Sequence, residues 1–154
     1  MIVVEGYSDK ALVADMGFPG KQIKIGSCKG KVLEIVKKNQ AAIGIIDEDP
    51  CSGQPWDLRN YIEKDRRHTI KLLARKDDDS KRLIQISPRL EDWLYSRAGQ
   101  NRISPKDFGL PKYPEDLHNI LRVDKKENFH SFLKELIKVD GEIGTLKKWI
   151  SEVI

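Results

Sequence analysis

The chain has 154 residues, with 28 Lys and Arg against 24 Asp and Glu, a net charge of +4 and an isoelectric point near 9.0. That length suits one domain able to bury a core without disulfide or metal staples. No apolar run approaches the ~20 residues that cross a bilayer. The N-terminus runs straight into a strand pattern, and Cys28 and Cys51 have no metal-ligand spacing. These features argue against membrane insertion, secretion and a zinc site, and favour a cytoplasmic chain with reduced thiols.

Strand patterns fall at about 2–5, 22–26, 41–46, 69–75 and 82–86, and helical patterns lie between them. Ala11, Leu12 and Met16 share a face that ends at Gly17, and Val32, Leu33 and Val36 share another that closes at Asn39. Trp56 to Ile62 reads as a third helix with Leu58, Tyr61 and Ile62 inward. Alternation of this kind predicts an α/β fold: a Rossmann-type, mostly parallel sheet with right-handed crossovers. Asp77-Asp78-Asp79-Ser80 predicts a hairpin turn, which makes the last strand antiparallel to its neighbour.

Ser87-Pro88 then predicts a helix start, with Ser as N-cap and Pro in the first position, followed by an apolar stripe of Leu90, Trp93 and Leu94. Ser104-Pro105 opens a short turn ending near Gly109, and Glu115 to Leu121 is helical. Phe129, Phe132, Leu133, Leu136 and Ile137 have amphipathic-helix spacing, as do Ile143, Leu146, Trp149, Ile150 and Val153. The expected organisation is an α/β domain over 1–98 and a helical extension over 99–154 packed on it.

Two apolar runs end in acid. Ile2-Val3-Val4 stops at Glu5-Gly6, and Ile43-Gly44-Ile45-Ile46 stops at Asp47-Glu48-Asp49-Pro50. Parallel strands deliver their C-terminal ends to one rim, where ligands bind. Glu5, Asp47 and Asp49 on that rim would repel one another unless a hard, oxygen-seeking cation such as Mg²⁺ or Mn²⁺ neutralised them. Residues two apart on an extended backbone point the same way, so Asp47 and Asp49 are expected to converge on one ion. Asp9, and the adjacent pair Glu91 and Asp92, fall in the first turns of expected helices, where the helix dipole favours an acid.

The loop Gly26-Ser27-Cys28-Lys29-Gly30-Lys31 opens a helix, where free N–H groups with Lys29 or Lys31 suit a phosphate. Arg59, Lys64, Arg66, Arg67, His68, Lys71, Arg75 and Lys76 form the densest basic stretch, either tracking a phosphate backbone or solvating a helix face. His68, His118 and His130 have no ligand spacing.

The segments IVVEGYSDKAL (2–12) and IGIIDEDP (43–50) resemble the first and second motifs of the Toprim domain family, across roughly residues 1–95. Toprim domains occur in topoisomerases, bacterial primases, nucleases of the OLD group and ribosomal-RNA maturases. The resemblance implies a Mg²⁺-dependent phosphodiester hydrolase acting on DNA or RNA, with Glu5 as general base or metal ligand and Asp47 and Asp49 holding the ion. Asp9 and Glu91 would add to a second metal site. No acidic residue follows Gly53, so the match after the second motif is partial. Two other readings stay open. One is a Toprim module that docks with an ATPase or a nucleic-acid-binding partner. The other is an Asp-x-Asp phosphatase with Asp47 as nucleophile, although Cys51 stands where that family has Thr or Val.

Overall fold

Short β-branched runs bounded by turn residues become strands because each can be buried on both faces. The computed structural model describes residues 1–154. Its strands are β1 (Ile2–Val4), β2 (Ile23–Ile25), β3 (Ile43–Asp47), β4 (Tyr61–Arg67), β5 (Ile70–Arg75) and β6 (Asp78–Ile86). They form one sheet in the order β2-β1-β3-β6-β5-β4. The first four in that order run parallel, while β5 and β4 are antiparallel additions on one side. The helices are α1 (Tyr7–Asp15), α2 (Lys29–Lys38), α3 (Leu90–Gln100), α4 (Pro114–His118), α5 (Glu127–Val139) and α6 (Gly141–Ser151). None is long and apolar enough to cross a membrane.

The pleat sends alternate side chains to opposite faces. Ile2, Val4, Ile43, Ile45, Ile84 and Ile86 pack with α1, α3, α5 and α6. Val3, Ile46 and Leu83 pack with Val32, Leu33 and Val36 of α2 on the other face. The result is three layers, with most of the core on the many-helix side. Each such side chain, fully buried, contributes roughly 1.5–3 kcal/mol. Gly44 sets how closely α2 lies on β3: a Cβ there would sit 2.7 Å from both Leu83 Cδ2 and Val32 Cγ1.

The tail packs on the sheet as part of the same core. Phe129, Phe132, Leu133 and Leu136 of α5 are fully buried and share one cluster with β1 and β3. A buried polar network fastens α6. Arg97 meets Asp140 at 2.8 Å and Glu142 at 3.0 Å, and Trp93 Nε1 donates to Glu142 at 3.1 Å. Asp140 also accepts the Ile143 N–H, capping α6. Burial acts to raise the Asp140 carboxyl, but Arg97, the Ile143 N–H and Asn101 outweigh it and hold it below the usual range.

Three sequence expectations are corrected. Trp56 to Ile62 is not an α-helix: Trp56–Asn60 is a 3₁₀ turn and Tyr61 begins β4. That strand lies at the sheet edge with residues 62–67 exposed, so no buried face imposes a period on its sequence. Ser87 and Pro88 do not start α3. The helix begins at Leu90 with Arg89 as N-cap, because Leu90 N–H is capped from afar by Asp47 Oδ1 at 3.0 Å while Ser87 Oγ bonds Glu48 instead.

The basic stretch, third, does not lie on a helix face: most of it falls in β4 and β5, and several of its cations are paired. Arg66 pairs with Glu63, Lys64 with Asp79, and Arg75 with Asp57 and Asp77. Arg67 bonds the Gly141 carbonyl and Thr145. A hairpin does join β5 to an antiparallel β6, as expected, but its turn is Lys76-Asp77, and Asp78, Asp79 and Ser80 already belong to β6.

Candidate active site

In the sheet, β2 lies on one side of β1 and β3 on the other, so the chain reverses its direction of winding between β1 and β3. Such a switch point opens a crevice beyond the strand ends. Glu5 leaves β1 there and Asp47 ends β3. A cleft of about 560 Å³ occupies the place, bordered by the starts of α1, α2 and α3. Glu5, Asp9, Asp47, Asp49, Glu91 and Lys29 all line it.

The acids are fixed by the backbone around them. Glu5 Oε2 accepts the Asp47 N–H at 2.7 Å, which ties the two strand ends together. Asp47 Oδ1 caps α3 through Leu90. Asp9, in the first turn of α1, accepts the Gly6 N–H at 3.0 Å, and Glu91 accepts Ser8 Oγ at 3.1 Å. His118 Nδ1, from α4, stands 3.3 Å from the same Glu91 oxygen. Asp9 and Glu91 are only 6% and 5% exposed, and each keeps one buried oxygen, Asp9 Oδ1 and Glu91 Oε2, without a partner.

Asp49 arrives differently from expectation. β3 ends at Asp47, and Asp49 sits in a left-handed turn at φ +39° with its N–H on the Pro88 carbonyl. The extended-backbone argument for its alignment with Asp47 therefore fails, although both line the cleft.

Crowding and burial make these carboxyls hard to ionise. Burial raises Asp47 to about 8, with Glu5 and Glu91 adding to the effect. Asp9 is raised well above the usual range by burial, then by Asp47, Glu91 and Glu5. Glu5 is raised by burial against the opposing pull of the Asp47 N–H and Lys29.

The Gly26–Lys31 loop divides in two. Lys29 is 7% exposed and has no carboxylate partner; its Nζ donates to the Glu48 carbonyl at 2.8 Å and Gln54 Oε1 at 3.0 Å. Lys31 instead pairs with Glu34 on the exposed side of α2 and does not line the cleft. Gly26 lets α2 start close to the sheet, since a Cβ would lie 3.0 Å from Val32 Cγ2.

The acidic side chains lining the cleft offer only oxygen, the donor type a hard divalent cation takes, and two of their buried oxygens lack partners. No three His, Cys, Asp or Glu side chains are gathered into one ligand shell, so the carboxylates stand as neighbours rather than as a closed cage.

Sequence reasoning missed the outer wall. Leu117, His118, Ile120, Leu121, Arg122 and Val123 close one side of the cleft, with Tyr7, Ser8 and Arg89 facing in from elsewhere. Only Ser8 and Tyr7 lie inside a recognisable motif, and nothing in the spacing of the tail residues marks them. In comparisons with known proteins, no family model, curated protein or solved structure matches this chain.

Proposed function

We propose that the protein is a Mg²⁺- or Mn²⁺-dependent phosphodiester hydrolase of Toprim type, acting on DNA or RNA. The observation that carries this reading is that Glu5, Asp9, Asp47 and Glu91, three of them raised chiefly by burial, line one cleft at the switch point together with the buried Lys29. Clustered buried carboxylates are costly unless a cation or a reaction uses them. Asp47 and Asp49 would hold the ion, with Asp9 and Glu91 available to a second. When bound, such ions polarise the scissile phosphate and lower the pKa of water.

The chain's own groups account for the remaining work. Lys29 has three N–H bonds and spends two on Glu48 and Gln54, leaving one for a phosphate oxygen in a largely water-excluded position. Glu5 keeps Oε1 free of protein hydrogen bonds while the Asp47 N–H holds Oε2. A carboxylate raised toward neutrality is the better proton acceptor, so Glu5 takes the proton of the attacking water. Ser8 and His118 orient Glu91 toward the cleft.

The test is cleavage of mixed single- and double-stranded DNA and RNA with Mg²⁺ or Mn²⁺, alongside Mn²⁺ calorimetry. Cleavage and heats that both vanish in the Asp47→Ala/Asp49→Ala double variant are expected. Equal heats for the two proteins would sink the metal site. Asp47-dependent turnover of phosphomonoesters without polynucleotide cleavage would turn the reading to a phosphatase.

A further inference from the structure

The wall contributed by the tail carries an arrangement that phosphodiester chemistry does not require. Arg122 adopts a left-handed backbone (φ +51°, ψ +49°), which is costly for a residue with a Cβ. Its guanidinium lies 3.8 Å from the centroid of the Tyr7 ring. Asp124 grips its edge through two bonds of 2.9 Å, from Nε to Oδ1 and from Nη2 to Oδ2. The Asp124 carbonyl is in turn bonded by His130, which also pairs with Asp15 of α1. The guanidinium plane is thus set from one face and one edge, and 42% of the side chain is still exposed. Beside it, Leu121 is 90% exposed and Tyr7 41% exposed. All three line the cleft that holds Glu5 and Asp47.

We propose that Arg122, backed by Tyr7 and flanked by Leu121, is a stacking platform for an unpaired nucleobase next to the phosphate held at the acidic rim. This rests on the polynucleotide reading and narrows its substrate to single-stranded or frayed DNA or RNA. A planar cation fixed against an aromatic ring offers its other face to a flat, polarisable group. Nucleobases are such groups and occur one per phosphate, so a base meets the wall as its phosphate meets the rim. Inside a duplex both base faces are covered by neighbours, and only an unpaired or terminal base has one to offer. Every base has a π-face, so the platform selects strandedness rather than sequence.

The experiment is fluorescence anisotropy with labelled oligodeoxyadenylate and oligoadenylate, an abasic strand of equal length, and a blunt duplex, in Ca²⁺ in place of Mg²⁺. The native protein should bind both base-bearing strands more tightly than the abasic strand or the duplex. Arg122→Lys keeps the charge and loses the plane, so it should weaken binding of the base-bearing strands by about 5- to 150-fold. Its affinity for the abasic strand should not change. Tyr7→Leu should act in the same direction, and melting curves of both variants confirm that they fold.

Equal affinity for base-bearing and abasic strands, or Arg122→Lys binding as the native does, overturns the platform. Mg²⁺-dependent cleavage of the same oligonucleotides is read separately. Cleavage together with Arg122-independent binding removes the platform alone. Arg122-dependent binding of base-bearing strands without cleavage keeps the platform and removes the hydrolase. No binding of any strand removes both.

Discussion

Asp47→Asn tests the crowded rim most directly, because it removes one titrating group and keeps an oxygen to cap Leu90. An ordinary aspartate titrates near 3.8, and Asp47 in the folded protein is raised to about 8, chiefly by burial. Below pH 3.8 the group is protonated in both states and costs nothing. Between about 4 and 8 the unfolded chain releases the proton that the folded chain retains, so stability falls as pH rises by about 1.4 kcal/mol per pH unit. The upper bound at pH 7 is roughly 4 kcal/mol, and above about 8 the penalty no longer grows. Asparagine does not titrate. Without divalent ions the variant should therefore melt higher than the native protein at pH 7, by up to roughly 8–16 °C for a chain of this size. The gap should close toward pH 4. Added Mg²⁺ should raise the native melting point more than the variant's, because the ion needs the carboxylate. Calorimetric or fluorescence melts from pH 4 to 8, with and without Mg²⁺, read all three effects. If the variant melts with the native protein at pH 7 without metal, Asp47 is not held protonated by its surroundings and the reasoning about the rim is wrong.

Other perturbations address separate parts of the molecule. Glu5→Gln should keep the fold, with an unchanged or slightly raised melting profile, and cut cleavage by at least about 10²-fold; native-level cleavage would make Glu5 a strand-end residue only. His130 has both ring nitrogens on acceptors, the Asp15 carboxylate and the Asp124 carbonyl. Burial acts to lower its pKa, but the bonds to Asp124 and Asp15 prevail and raise it. Its contribution to stability should be complete below about pH 6.5 and fade as pH rises through the raised folded value. Melts of the native protein and His130→Gln at pH 5.5 and pH 9 should show the larger difference at the lower pH, and equal differences would refute the pairing. Arg97→Met leaves Asp140 and Glu142 buried without their cation and should cost about 3–5 kcal/mol by urea denaturation; a loss below about 1 kcal/mol would show that the remaining donors suffice.

Much of the fold was legible because burial leaves a period in the sequence. β1, β3, β5 and β6 are apolar where they lie under helices, and α5 and α6 show their inward stripes plainly. Glu5 and Asp47 were legible as acids that stop such runs, and parallel strand direction alone sends them to one rim. β4 was not legible, since an exposed edge strand has charge on both faces and no stripe to read. The start of α3 was misplaced for a different reason: a carboxylate distant in sequence, Asp47, outcompeted the local Ser87 cap. Sequence also left Lys29 and Lys31 equal, and Glu91 and Asp92 nearly so. Helical rotation turned Lys29 into the cleft and Lys31 out to Glu34, and buried Glu91 while Asp92 met Arg89. The wall of Leu117 to Val123 was invisible, because its place opposite Glu5 depends on α5 and α6 sharing the core of the sheet. Local patterns determine which segments bury and where acids end strands; only the packing of the tail decides which distant side chains complete the cleft.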